Sequence, residues 1–363
     1  MSIFNAWIVT RHINDEISST INVNDLTIDQ DARTYEIMMV KAGLERLGVN
    51  VMLMRLIHDI QSPENVISMR DSLPDIIILR CTLWDTKIEM PIIKELENQG
   101  VIVINNSDTH FVCNDKLLQY QRLISFDVRI PKTIDIPDNL NFDSVVSLIE
   151  NELEYPIVMK PKFGSAGIHT VKCNNADDVK NAYDNALSRK NLKFMVAQKW
   201  IDHNPHGIIN VTTIGNEIVS CYRHLPETPV DFWNTGAIVF DHVTRLVADR
   251  KISSVKTKVA TSNPDRDLFD QRKLRPTNDL RDTYPISDEL KNLCQTACSA
   301  LYGAEMTRMD ILKDDDGYMI CEVNSPPGFP GADIFFGLDV GDLIAKYALS
   351  NLKNHVHVMR SMI

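Results

Sequence analysis

The chain has 363 residues, 44% of them hydrophobic, enough for a sizeable core and for two or three domains. A formal net charge of -11 argues against nonspecific nucleic-acid binding, and no run approaches the roughly 18 apolar residues of a membrane span. Seven cysteines without a CxxC pair point to reduced thiols, and residues 1–4 lead into a strand with no basic signal-peptide region, so a cytoplasmic protein is expected.

The first hundred residues alternate strand and helix. Residues 4–10 read as a strand, 32–47 as a helix closed by Gly48, and 49–55 as a second strand. Residues 75–79 form a buried apolar strand, 89–99 a helix stopped by Gly100, and 101–104 another strand. This βαβ rhythm predicts a small parallel-sheet domain with helices on both faces. It lacks a GxGxxG loop, so dinucleotide binding is not expected.

A helix over 115–123 follows, with Asn114 or Asp115 as N-cap and Lys116 projecting near its start. Residues 130–137 read as a turn-rich linker and 141–153 as a helix. Strands are predicted at 157–160, 169–173, 194–198, 210–214 and 217–223, and helices at 177–187 and 287–301. In the second helix Cys294 and Cys298 have core spacing. Residues 245–282 carry 10 basic and 6 acidic side chains with little hydrophobic periodicity. A solvated excursion accounts for them, and a lid or a site for an anionic substrate is the sharper reading.

Residues 307–328 carry the most information. Two apolar-rich runs flank Asp315, Asp316 and Gly317, which predicts a hairpin with a three-residue loop. That register sets Asp310 opposite Glu322, and the period of two puts Asn324 on the Glu322 face and Arg308 on the Asp310 face. Hard cations such as Mg²⁺ take oxygen ligands of this kind and bridge to phosphates. A solvated acidic hairpin explains residues 314–316 but not Glu322, which lies among Ile320, Cys321 and Val323.

Three further segments are weak alone. Lys160 and Lys162 end a strand and precede Gly164, Ser165, Ala166 and Gly167, a small-residue loop suited to an anion-binding nest but not a Walker A loop. Residues 195–202 are an apolar strand ending in Gln198, Lys199, Trp200 and Ile201, which serves equally as core or as the wall of a purine pocket. Lys116 at a helix start is unremarkable alone.

In this order and with these gaps, Lys116, Lys160 with its loop, residues 198–201 and Asp310…Glu322-x-Asn324 resemble the ATP-grasp superfamily over roughly residues 100–350. Residues 322–328 resemble the EVNSSPG-type signature of RimK-like ligases. Arg308-x-Asp310 and residues 198–200 are similar to D-alanine–D-alanine ligases. The resemblance implies an α/β (α+β) ATP-grasp fold. It divides the chain into a parallel-sheet pre-ATP-grasp domain over 1–113, a first ATP-grasp subdomain over 114–200 and a second over 201–355.

It further implies an ATP-dependent carboxylate–amine ligase acting through an acylphosphate and releasing ADP and phosphate. Its substrates would be amino acids or a peptide, with no nucleic-acid or membrane partner, and the chain would form a homodimer or homotetramer. By the same resemblance Lys116, Lys160, Lys162 and residues 164–167 meet ATP phosphates, and residues 198–201 hold adenine. Asp310, Glu322 and Asn324 bind two Mg²⁺ ions, with Mn²⁺ as a substitute, and Arg308 stabilises the oxyanion of the tetrahedral intermediate. Arg223, Asn234, Ser325 and Gly328 are the candidate substrate contacts.

Departures from the pattern fall on the substrate side. Gln198 stands where a glutamate is usual. Asn210 stands at an arginine position, which argues against a RimK-type glutamate acceptor. Residues 232–237 resemble the Asn-Thr-Ala segment of LysX-like ligases without the arginine and second glycine that follow there. A kinase of a small anionic substrate and a silent nucleotide-binding scaffold are the alternatives. Arg308 and the Ser-Pro-Pro-Gly loop favour a ligase over the first, and the full set of metal ligands and lysines disfavours the second.

Overall fold

The computed structural model describes residues 4–11, 32–81, 87–163, 170–187, 195–202, 206–215, 217–225, 280–329 and 338–361. The N-terminal unit is a parallel sheet of β1 (Asn5–Val9), β2 (Asn50–Met54), β3 (Ile76–Leu79) and β4 (Ile102–Ile104), in the order β2-β1-β3-β4. The chain moves from β1 to one side for β2 and to the other for β3. The two directions part between β1 and β3, and ligands of open parallel sheets bind at the C-terminal ends of strands at such a point. The fully buried run Ile76, Ile77, Ile78 and Leu79 reflects a strand covered on both faces. Helix α1 (Ala32–Arg46) precedes β2, the short α2 (Pro63–Ser68) follows it, and α3 (Glu89–Asn98) joins β3 to β4. Gly48 and Gly100 take the left-handed conformation that ends α1 and α3.

Helix α4 (Ser107–Asn114) is capped by Asn106, whose side chain accepts from Thr109 N, and α5 (Lys116–Ile124) by Asp115, which accepts from Leu117 N and Leu118 N. The next sheet holds β5 (Thr133–Ile136), β6 (Ile157–Pro161), β7 (Val171–Cys173) and β8 (Met195–Lys199), ordered β5-β8-β6-β7, with α6 (Phe142–Glu152) and α7 (Ala176–Leu187) beside it. Strand β5 corrects the linker expected over 130–137. Pro131 and Pro137 bracket a short edge strand that pairs antiparallel with β8, an arrangement set by tertiary pairing rather than by local pattern.

The third sheet contains β9 (Ile208–Ile214), β10 (Glu217–Leu225), β11 (Leu280–Thr283), β12 (Met306–Asp314) and β13 (Gly317–Asn324), in the order β11-β10-β9-β12-β13. Helix α8 (Asp288–Ala300) covers one face through Leu290, Cys294 and Ala297, which share a core with Ile209, Ile311 and Ile320. The C-terminal helix α9 (Val340–Ser361) had no counterpart among the predicted elements. It packs on α1 at close range. A Cβ on Gly341 would lie 2.7 Å from the Met39 backbone, and one on Gly43 would lie 2.9 Å from the Ala345 Cβ. Their apolar faces form one core that runs from Ile8 and Ile78 to Met306, Phe329 and Ile344 and ties the first unit to the third. Among the described residues no helix is long and apolar enough to cross a membrane.

Asn105 fastens these units. It is fully buried and donates from Nδ2 to Met306 O at 2.6 Å and to Ser325 Oγ at 2.6 Å. Its Oδ1 accepts from Glu305 N and Met306 N, each at 2.7 Å. Asn105→Ala strands several buried backbone groups, each costing about 1–3 kcal/mol. The expected loss in urea unfolding is about 3 kcal/mol or more with an unchanged m value. A loss below about 1 kcal/mol would show that other groups satisfy the β12 backbone.

Candidate active site

The hairpin of β12 and β13 forms the floor of the site. Asp310 pairs with Glu322 and Arg308 with Asn324 in the observed register, as expected. The route to that register differs. Asp314 pairs with Gly317, so the loop has two residues rather than three, and Gly317 opens β13 with φ 115°. A bulge at Cys321 then restores the offset, because Ile311 pairs with Ile320 while Asp310 pairs with Glu322. The bulge also turns Glu322 out of the core: its side chain is 24% exposed, like that of Asp310, and Arg308 is 29% exposed.

Cations crowd this acidic row. Lys116 Nζ lies 3.1 Å from Glu322 Oε1, carried there by the capped start of α5. Gln119, one turn on, clamps β13 by donating to Val323 O at 2.7 Å and accepting from Val323 N at 2.9 Å. Burial pushes the Glu322 carboxyl up, but Lys116 and Lys160 outweigh it and hold the group below the usual carboxylate range. Burial and the Glu322 charge leave Asp310 raised despite the opposing pull of Arg308. Arg308 Nε is 3.8 Å from Asp310 Oδ1 and makes no hydrogen bond among the described residues. Although burial works against its charge, Asp310, Tyr222, Glu322 and Glu36 together hold its pKa above the ordinary value.

Lys160 projects from β6, almost completely buried. It donates to Gln198 Oε1 at 2.9 Å and sits 5.1 Å from the Tyr120 ring centroid. Gln198 in turn donates to Thr133 Oγ1 at 2.7 Å. Its amide thus orients Lys160 across the sheet. Lys162 is ion-paired with Asp135. Lys199 N donates to Lys132 O at 2.8 Å and Trp200 N to Pro156 O at 3.2 Å, while Lys172 Nζ lies 4.0 Å from the Trp200 ring centroid. Ile201 joins Ile208, Leu312, Met319 and Cys321 in a small apolar cluster that walls this end of the cleft.

The substrate-side expectations divide. Arg223 leaves the site. Asp310, Asn210 and Tyr222 stand in one cross-strand row, and strand alternation sends Arg223, with Ile209 and Ile311, to the α8 face of the sheet. Tyr222 occupies the site face instead. Only a correct register of β9 against β10 and β12 could have revealed this. Ser325 is buried and its hydroxyl accepts from Asn105, and a Cβ on Gly328 would lie 3.3 Å from Glu36 Oε1. Both therefore hold the loop after β13 against the N-terminal unit. Residues 164–167, Asn234 and the 245–279 part of the basic segment lie outside the described residues.

Asp310, Glu322 and Asn324 offer hard oxygen donors on one partly open face, which fits Mg²⁺. Among the described residues no group of three or more His, Cys, Asp or Glu side chains forms a closed metal cage. An ion held here would complete its shell with oxygens from water or from a bound ligand.

The sequence profile of the RimK-like ATP-grasp domain matches residues 113–232 and 277–348, more than half of the chain. The chain belongs to the RimK-like ATP-grasp family. This family binds ATP. Among its relatives is the coenzyme gamma-F420-2:alpha-L-glutamate ligase of Methanocaldococcus jannaschii, 24% identical over 89% of this chain and 98% of that protein. Another is the glutamate–LysW ligase ArgX of Sulfolobus acidocaldarius, 23% identical over 70% of this chain and 76% of its own length. The D-alanine–D-alanine ligase of Bacillus anthracis, solved with ATP, superposes with a TM-score of 0.60 at 13% identity, covering 98% of this chain and all of that one, and so shares the fold.

Proposed function

We propose that this RimK-like ATP-grasp ligase joins the amine of L-glutamate, or of a glutamate-bearing peptide, to a second carboxylate, with ATP cleaved to ADP and phosphate. One observation carries the reading. Arg308, Asp310, Glu322 and Asn324 share a sheet face that meets Lys116 at 3.1 Å, so acidic donors and cations face the same cleft. Glutamate is named for both relatives above, which speaks against the expectation drawn from Asn210.

The chemistry brings anions together. A carboxylate oxygen attacks the γ-phosphorus, the bond to the β–γ bridging oxygen breaks, and ADP leaves. Lys116 and Lys160 offset the repulsion between the reactants and take up charge developing on the phosphoryl oxygens. Asp310, Glu322 and Asn324 would hold Mg²⁺, which would supply further neutralisation of phosphate charge. The amine then attacks the acylphosphate carbon, and Arg308 faces the resulting oxyanion. Phosphate departs as the amide forms, and the proton released from the amine leaves with it. No residue acts as nucleophile, so rate arises from positioning and electrostatics. Gln198 acts as a positioning residue for Lys160, and the walls near Ile201 receive the purine. The 164–167 loop, the backbone of residues 199–201 and Asn234 complete this proposal.

Incubation with MgATP, L-glutamate and pooled amino acids and dipeptides, followed by mass spectrometry, tests it. ADP and phosphate in equal amounts with a condensed amide are expected. A phosphorylated product without free phosphate would overturn the ligase reading.

A further inference from the structure

A second polar cluster lies beyond Arg308, where the first unit meets the loop after β13. Arg80 directly follows β3, at the C-terminal edge of the parallel sheet and beside the point where the strand order reverses. Its side chain is 1% exposed. Its Nη2 donates to Glu36 and, at 2.9 Å, to Pro327 O, and the guanidinium lies 4.9 Å from the Phe329 ring centroid. Glu36 is fully engaged as well, because its other oxygen accepts from Phe329 N at 3.0 Å. Arg80 is thus locked in place by groups that occupy only one of its three nitrogens.

The other two nitrogens, Nε and Nη1, are buried and have no hydrogen-bond partner among the described residues. The same holds for both ring nitrogens of the fully buried His110. Burial, assisted by the Arg80 charge, pushes the His110 imidazole down to about 3, so it is neutral and can give one hydrogen bond and take another. Unpaired buried polar atoms on two side chains are uncommon, and a carboxylate bound during function would satisfy those of Arg80. The cluster lies on the substrate side of the site. Arg80 and Glu36 reach it through Pro327 O and Phe329 N, three and five residues beyond Asn324 at the end of β13.

We propose that Arg80, held by Glu36, forms the subsite that binds a carboxylate of the glutamate substrate. A guanidinium suits this task because it stays charged and presents fixed N–H directions to a carboxylate. The inference rests on the glutamate reading above.

The test observes Arg80 in the wild-type enzyme. The Nε–H signal, assigned in ¹⁵N-arginine-labelled protein by its loss in Arg80→Lys, is followed during titration with L-glutamate and separately with inorganic phosphate. A saturable shift with L-glutamate is expected. In turnover assays Arg80→Lys is expected to raise the KM for L-glutamate about 30-fold, with the Kd for MgATP unchanged within about twofold. An unmoved signal in a protein that still ligates glutamate, or a shift with phosphate alone, overturns the subsite and leaves the ligase reading standing. A saturable shift without amide formation would instead remove the ligase reading alone. If Arg80→Lys weakens glutamate and MgATP equally, Arg80 is a structural brace.

Discussion

Glu322→Gln is expected to lower kcat by about 10³-fold or more, a barrier increase of about 4 kcal/mol. The substitution keeps the shape of the side chain and removes one charge. That charge has two functions in the proposed site: it draws Lys116 to 3.1 Å, and it supplies an anionic oxygen beside Asp310. The depressed pKa of Glu322 shows that its surroundings favour the ionised form, so a neutral amide opposes the field in which it sits. Lys116 keeps a hydrogen-bond acceptor in the variant, so the fold should lose only about 1–2 kcal/mol. Turnover measured beside urea unfolding separates the two effects. A folded Glu322→Gln enzyme that retained a tenth of wild-type kcat would remove Glu322 from the metal and phosphate machinery.

The parts of this site that were readable in the sequence are those set within one hairpin. The pairing of Asp310 with Glu322 follows from strand period and a glycine-containing turn, yet it was reached through two compensating features. The loop is one residue shorter than its composition suggested, and the Cys321 bulge returns that residue. Neither is signalled locally, since Asp-Asp-Gly suits both loops and nothing in Ile320-Cys321-Glu322 marks a bulge. Lys116 and Lys160 were likewise visible as cations at element ends. The face of Arg223 depends on how β10 registers against β9, a long-range choice with no local signal. Glu36, Arg80 and Asn105 carry no local signal for the same reason. Each looks ordinary beside its chain neighbours, and only the docking of the parallel sheet on the loop after β13 brings them to Pro327, Phe329 and Ser325.

Arg308→Ala is expected to lower amide formation about 10²–10³-fold while ATP affinity stays within about twofold. The geometry suggests this division. Arg308 shares a strand face with Asp310 and its side chain is 29% exposed, so the guanidinium can meet an oxyanion above the sheet. Alanine also removes a charge that lowers the Asp310 pKa, and this would weaken the phosphate end of the site if it dominated. Two measurements tell these effects apart. Positional isotope exchange in [βγ-¹⁸O]ATP, with the carboxylate substrate and no amine, reports reversible acylphosphate formation. Under the oxyanion role the exchange survives in Arg308→Ala while amide synthesis is lost. Arg308→Lys restores the charge near Asp310 without the planar fork, so it should recover exchange fully and amide formation only in part. Equal loss of exchange and amide synthesis in Arg308→Ala, with equal recovery in Arg308→Lys, would show that Arg308 acts through Asp310 and not on the tetrahedral intermediate.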